Sequence, residues 1–125
     1  MNNAGRFAYD GLERVFHEKA RLSIMTSLMS HPNGILFNDV KNLCALTDGN
    51  LSRHLHTLSK AGLVSTVRRA SKSGGRAQTL VCLTKGGRER FESYLELLEQ
   101  VMRDAAAAQS EWRENSAGEA GFAAT

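Results

Sequence analysis

The chain has 125 residues, 42% of them hydrophobic, and a formal charge of +3, enough for one modest core and most simply a single domain. No stretch approaches the ~20 apolar residues of a membrane span and no basic segment with an apolar run opens the chain, so a soluble, cytoplasmic protein with no membrane partner is expected. The charge is uneven: residues 1–40 balance, residues 41–90 carry ten bases against Asp48 and Glu89, and the remainder carries Arg103 and Arg113 against seven acids, which suggests a polyanion-facing surface in the middle of the chain.

Residues 1–9 are read as a flexible N-terminus and residues 10–109 as the folded domain. An apolar stripe starts at Leu12, Val15 and Phe16 and continues through Ala20, Leu22, Ile24, Met25, Leu28 and Met29. It is apolar on too many sides for a surface helix and predicts a central buried one. "HPNG" at residues 31–34 breaks the pattern, and Ile35 to Phe37 can form an edge strand. Asn38 can then cap a second helix, with Val40, Leu43 and Cys44 at helical spacing and Cys44 facing the core.

Residues 46–64 read "LTDGNLSRHLHTLSKAGLV". Thr47 is a good N-cap, Asp48 suits the positive end of the helix dipole, and Gly62 stands where a left-handed C-terminal cap is expected. Leu51, Leu55 and Leu58 fix the buried face of this third helix, which turns Gly49, Asn50, Arg53, His56, Thr57 and Lys60 outward. The joint "ALT" between the second and third helices is short enough to force a steep crossing, so the pair predicts a helix-turn-helix.

Beyond Gly62, "LVSTVRRA" and "AQTLVCLT" alternate on either side of "SKSGGR" and predict a hairpin, with Arg68 and Arg69 on its rising strand and Lys72 and Arg76 at its tip. Thr84 can cap a last helix running to about Gln109. Within it Phe91, Leu95, Leu98, Met102 and Ala105 follow the a/d seam of a two-stranded coiled coil. Packing of this stripe on the chain's own first helix is the alternative, although Tyr94, Leu97 and Val101 widen the apolar surface to be hidden. Residues 110–125 lack periodicity and are expected to be a disordered tail, with Trp112 and Phe122 as apolar exceptions.

The order helix, helix-turn-helix, hairpin, long helix resembles the bacterial winged helix-turn-helix transcriptional regulators of the MarR and ArsR type. The resemblance runs from about Glu18 to Leu98 and rests on "RLSIMTSL", on "LTDGNLSRHLHTLSKAGLV" and on "LTKGGRERF". It implies a mainly α fold with a small β-hairpin wing and a long C-terminal dimerisation helix. It also implies a homodimer that binds double-stranded DNA, with the third helix in the major groove and the wing on the backbone or minor groove.

Residue chemistry fits that expectation. Asn50 and Arg53 can make paired hydrogen bonds to adenine and guanine and are the candidates for base reading. Thr47, Ser52, His54, His56 and Thr57 suit phosphate or water-mediated contacts, Gly49 permits close approach, and Asp48 serves either the helix dipole or a cytosine amino group. Wing residues Arg68, Arg69, Lys72, Ser73, Arg76 and Gln78 suit phosphate neutralisation and one minor-groove insertion. The dimer contact is assigned to Leu12, Phe16, Phe91, Leu95, Leu98, Met102 and Ala105.

Competing chemistry finds little support. His54 and His56 lie about 200° apart around a helix and cannot share a metal. Cys44 stands alone where ArsR-type metal sensors carry closely spaced cysteines, and Cys82 is far from it in sequence. "KSGGR" joins two strands rather than a strand and a helix, unlike a phosphate loop. No metal, cofactor or enzyme activity is expected. The alternatives to a DNA-binding regulator are a winged-helix module that binds an acidic protein partner and an enzyme accessory subunit.

Overall fold

The computed structural model describes residues 5–71 and 74–124, with side chains as far as residue 118. A 3-10 turn at Arg14–Phe16 leads into helix α1 (Lys19–Met29), strand β1 (Ile35–Leu36), helix α2 (Phe37–Cys44) and helix α3 (Asp48–Lys60). Strands β2 (Val64–Arg69) and β3 (Gln78–Leu83) and helix α4 (Lys85–Ala124) follow. The chain divides into two compact units, one of residues 13–94 and one made of the residues up to Leu12 together with those from Leu95 onward. Helix α4 contributes residues to both.

In the unit of residues 13–94 the core is built from Ile24, Met25 and Leu28 of α1, Val40 of α2, Leu51, Leu55 and Leu58 of α3, and Leu63, Val64 and Val81 of the hairpin, all buried. The first apolar stripe is not one helix. Glu18 adopts an extended backbone and caps α1 by accepting a hydrogen bond from the Arg21 amide at 3.1 Å, so Leu12 to Phe16 lie on a separate segment. Phe16 is fully buried with its ring centroid 5.1 Å from that of Phe91 and 5.0 Å from that of Tyr94.

Helix α2 begins at Phe37, straight from β1, with Leu36 in the capping position and no side-chain cap. Asn38 therefore lies inside the helix and does not cap it. Cys44 is half-buried with Sγ 3.5 Å from the Ser27 hydroxyl, while Leu43 stays 60% exposed. The sheet has the order β1-β3-β2 and is antiparallel throughout; Val81 of β3 sits opposite both Ile35 and Thr66. The edge strand expected near residue 35 thus closes the hairpin onto the helices.

Thr84 joins the sheet to α4. Its amide donates to the Leu63 carbonyl at 3.1 Å, its hydroxyl donates to the Gly62 carbonyl at 2.7 Å and accepts from the Gly87 amide at 2.8 Å. Gly87 is buried, and a Cβ there would fall inside the Leu63 carbonyl group, whereas a Cβ on Gly86 would meet open space. The two neighbours should respond oppositely to Ala. Gly86→Ala is expected to stabilise by up to about 1 kcal/mol through helix propensity. Gly87→Ala gains the same term but must push α4 off the start of β2, a clash with backbone worth ~1–3 kcal/mol, so a net loss is expected. Denaturant midpoints of the two variants check this.

In the other unit, residues 5–12 lie along α4. Arg6 pairs with Glu111 at 3.1 Å, the Tyr9 hydroxyl donates to Asp104 at 2.7 Å, and Gly11 faces the Leu97 side chain. The hydrogen bond with Tyr9 holds the Asp104 carboxyl below its ordinary pKa and raises that of Tyr9. Leu97, Asp104 and Glu111 recur every seventh residue, so this segment covers one face of α4. Met102 and Trp112, 70% and 63% exposed, are turned roughly 160° and 80° from Asp104 on that face.

Here the structure departs from the expected flexible N-terminus and disordered tail. Residues 5–9 are held by side-chain bonds, and α4 continues from Gln109 to Ala124. "AAAAQSEWRE" consists largely of strong helix formers, which propagate a helix already nucleated without needing an apolar period. The Phe122 side chain lies outside the described residues. Among the described residues no helix is long and apolar enough to cross a membrane.

Candidate nucleic-acid interface

Helix α3 presents most of its expected outer row. The Thr47 hydroxyl caps it, accepting from the Asn50 amide at 3.2 Å. Asp48 pairs with Lys41 at 2.9 Å, so its carboxylate ties α3 to α2. A Cβ on Gly49 would touch nothing, which leaves the helix start open to close approach. Asn50, Ser52, Arg53, His56 and Thr57 are all exposed. The Arg53 guanidinium donates to Asn50 Oδ1 at 3.0 Å, which brings the two candidate base readers together. The Thr57 hydroxyl turns back to the Arg53 carbonyl at 3.3 Å.

His54 departs from the expectation of a phosphate contact. It is only 4% exposed, because position 54 follows Leu51 by three residues and precedes Leu58 by four, on the buried stripe. Its Nδ1 lies 3.4 Å from Arg21 Nη1 and its Nε2 lies 3.8 Å from Glu18 Oε2. Arg21 also donates to the Val15 carbonyl at 2.7 Å. The Arg21 amide, aided by the Arg21 guanidinium, holds the Glu18 carboxyl below its ordinary pKa.

On the wing, Arg68, Arg69, Arg76 and Gln78 are exposed, with Arg69 and Gln78 opposite one another in the strand register. Gly74 takes φ +81° in the turn, a conformation that suits Gly. Lys72 and Ser73 lie outside the described residues. An open cleft of about 320 Å³ between α3 and the strands is lined by Ser52, His56, Ser59, Thr66 and Thr79. A second, of about 580 Å³, separates Asn38 and Asp39 at the start of α2 from Arg76 and Gln78 of the wing.

Two supports of α3 were not legible as such. Lys41 reaches its first turn, and Arg90 of α4 donates to the Ala61 carbonyl at its C-terminus at 2.9 Å while pairing with Glu13. A basic side chain at a helix C-terminus is the signal that applies, but Arg90 is remote in sequence and only the fold brings it there.

The residues expected in a dimer contact separate into two groups. Phe16 and Phe91 are fully buried inside one chain and are thereby removed from any contact with a second copy. Leu12, Leu95 and Leu98 are half-buried, and Met102 and Ala105 are exposed.

Residues 20–102 match a family model described as a winged helix DNA-binding domain. An uncharacterized protein of Methanocaldococcus jannaschii is 32% identical over 91 residues, which cover 73% of this chain and 96% of that protein. The solved structure of a transcriptional regulator homologue from Pyrococcus horikoshii superimposes with a TM-score of 0.67 at 28% identity, covering 73% of this chain and 87% of that one. The Staphylococcus aureus MepR–DNA complex shares the fold at 18% identity and a TM-score of 0.60, covering 86% of this chain and 85% of that one. With the helix-turn-helix, the three-stranded wing and the capped start of α4 all falling within the matched residues, the chain belongs to the winged helix DNA-binding domain family.

Proposed function

We propose that the protein is a transcriptional regulator that reads duplex DNA as a homodimer, with Asn50 and Arg53 of α3 at base edges in the major groove and the wing on the phosphates. The observation that carries this reading is the exposed, mutually hydrogen-bonded pair of Asn50 and Arg53 at the start of a capped helix. Asn50 offers the donor and acceptor that an adenine edge requires, and Arg53 the two parallel donors that a guanine edge requires. Relatives support the same reading: the Pyrococcus protein is described as a regulator homologue, and MepR carries this fold in complex with DNA. Gly49, Ser52, His56 and Thr57 surround the readers as backbone or water-mediated contacts. Thr47 and Asp48 shape the helix start.

Selection of bound duplexes from a random pool by the full-length protein tests the proposal. Enrichment of one palindromic sequence by 10³-fold or more over random DNA is expected of a specific complex. Equal, weak binding to every duplex and to unrelated polyanions would overturn it and favour an acidic protein partner.

The wing gives a separate prediction. Arg76→Ala should weaken binding to all duplexes alike and reduce the slope of log affinity against log salt by about one unit, as loss of one phosphate contact requires. Titrations at several salt concentrations on preferred and random duplexes check this.

A further inference from the structure

His54 is the one residue of α3 that is both polar and buried, and it directly follows Arg53. The rest of the inner face is Leu51, Leu55 and Leu58. Leucine packing has no direction, and several small rotations of a helix about its axis satisfy it almost equally. A side-chain end about 5–6 Å from the helix axis moves about 1 Å for a 10° rotation, and hydrogen bonds to a base edge do not survive such a displacement. Something directional is needed to fix the rotation.

The polar junction behind α3 supplies it. Arg21 has only donors, so the His54 Nδ1 that faces it at 3.4 Å accepts, which leaves the hydrogen on Nε2, aimed at Glu18 Oε2 3.8 Å away. Arg21 is itself held, by its Nε on the Val15 carbonyl at 2.7 Å and its amide on Glu18 Oε1 at 3.1 Å. The junction therefore ties one point of α3 to the start of α1. We infer that His54 is a positioning residue for base reading: through Arg21 and Glu18 it sets the rotation of α3 that aims Asn50 and Arg53, without touching DNA itself. This rests on the base-reading role proposed above.

The test compares His54→Leu, which keeps an apolar side chain in the core, with His54→Asn, which keeps an acceptor toward Arg21. Thermal stability, salt slope and the affinity ratio of preferred to random duplex are measured for each full-length protein. His54→Leu is expected to stay folded, to keep its salt slope and to lose about tenfold of the ratio, on the scale of one misplaced bidentate contact; His54→Asn should recover most of it. Should His54→Leu fail to fold, Arg21→Met removes the donor and leaves His54 in place, and it must lose the preference for the inference to stand. A folded His54→Leu protein with the full ratio, or equal loss in His54→Leu and His54→Asn, overturns the positioning role alone. A wild-type protein with no preferred duplex overturns the base-reading role, and this one with it.

Discussion

Replacing Arg53 with Ala is expected to cost ~1 to 3 kcal/mol at each half-site of the preferred duplex and to flatten base preference at one position of each. Arg53 is exposed and forms no ion pair among the described residues; its partner is Asn50 Oδ1 at 3.0 Å. A guanidinium has five N–H donors. One spent on Asn50 leaves a fork free for guanine O6 and N7, held in direction by the residue one turn before it. Asn50→Ala should then act twice, through its own adenine contact and through a loosened Arg53, so the double variant is expected to lose less than the sum of the single ones. Titrations on the preferred duplex and on its single-base variants, at one salt concentration, measure both effects. Unchanged base preference in Arg53→Ala, or strict additivity with Asn50→Ala, would overturn this account of α3.

Helix α3 was the most legible part of the sequence because its signals are local. Thr47, the leucine register and Gly62 each act within one or two turns, and all three stand where the sequence put them. The leucine register alone does not mark His54, because a buried stripe also takes in the residue at i+3, and a polar residue can occupy it when distant partners satisfy its nitrogens. Those partners, Glu18 at the cap of α1 and Arg21 within it, leave no local mark near residue 54. The same limit explains Arg90, and it explains why Phe16 and Phe91 read as dimer-contact residues although both pack on Tyr94 inside the chain. The tail misled differently. Absence of an apolar period argues against burial, but a helix that starts well within a fold can run on through strong formers while staying exposed.

The unit built on the later part of α4 bears on the proposed dimer, and charging its exposed face should have the second large effect. Its Leu97, Asp104 and Glu111 face is already occupied by residues 5–12. On the face with Leu95, Leu98, Met102 and Ala105 the leucines are half-buried and Met102 and Ala105 are exposed, and extending the same four-and-three spacing past Gln109 lands on Trp112. A Met at 70% and a Trp at 63% exposure on one helix face present apolar surface that a second copy would cover in a two-fold contact. Met102→Glu with Trp112→Glu places two carboxylates on that face in each copy, where pairing would bury like charges. Both positions are exposed in the single chain, so folding should be kept, whereas a truncation near Phe91 would remove the buried Tyr94 and the fold with it. In sedimentation the wild type is expected as a dimer and the double variant as a monomer. Affinity for a palindrome with half-site centres about 34 to 36 Å apart should fall by about 10²-fold or more toward that for a single half-site. Ser110→Glu, on a third and exposed face, should change neither. A monomeric wild type, or a double variant that still dimerises and keeps its palindrome affinity, would show that this face of α4 does not join two copies.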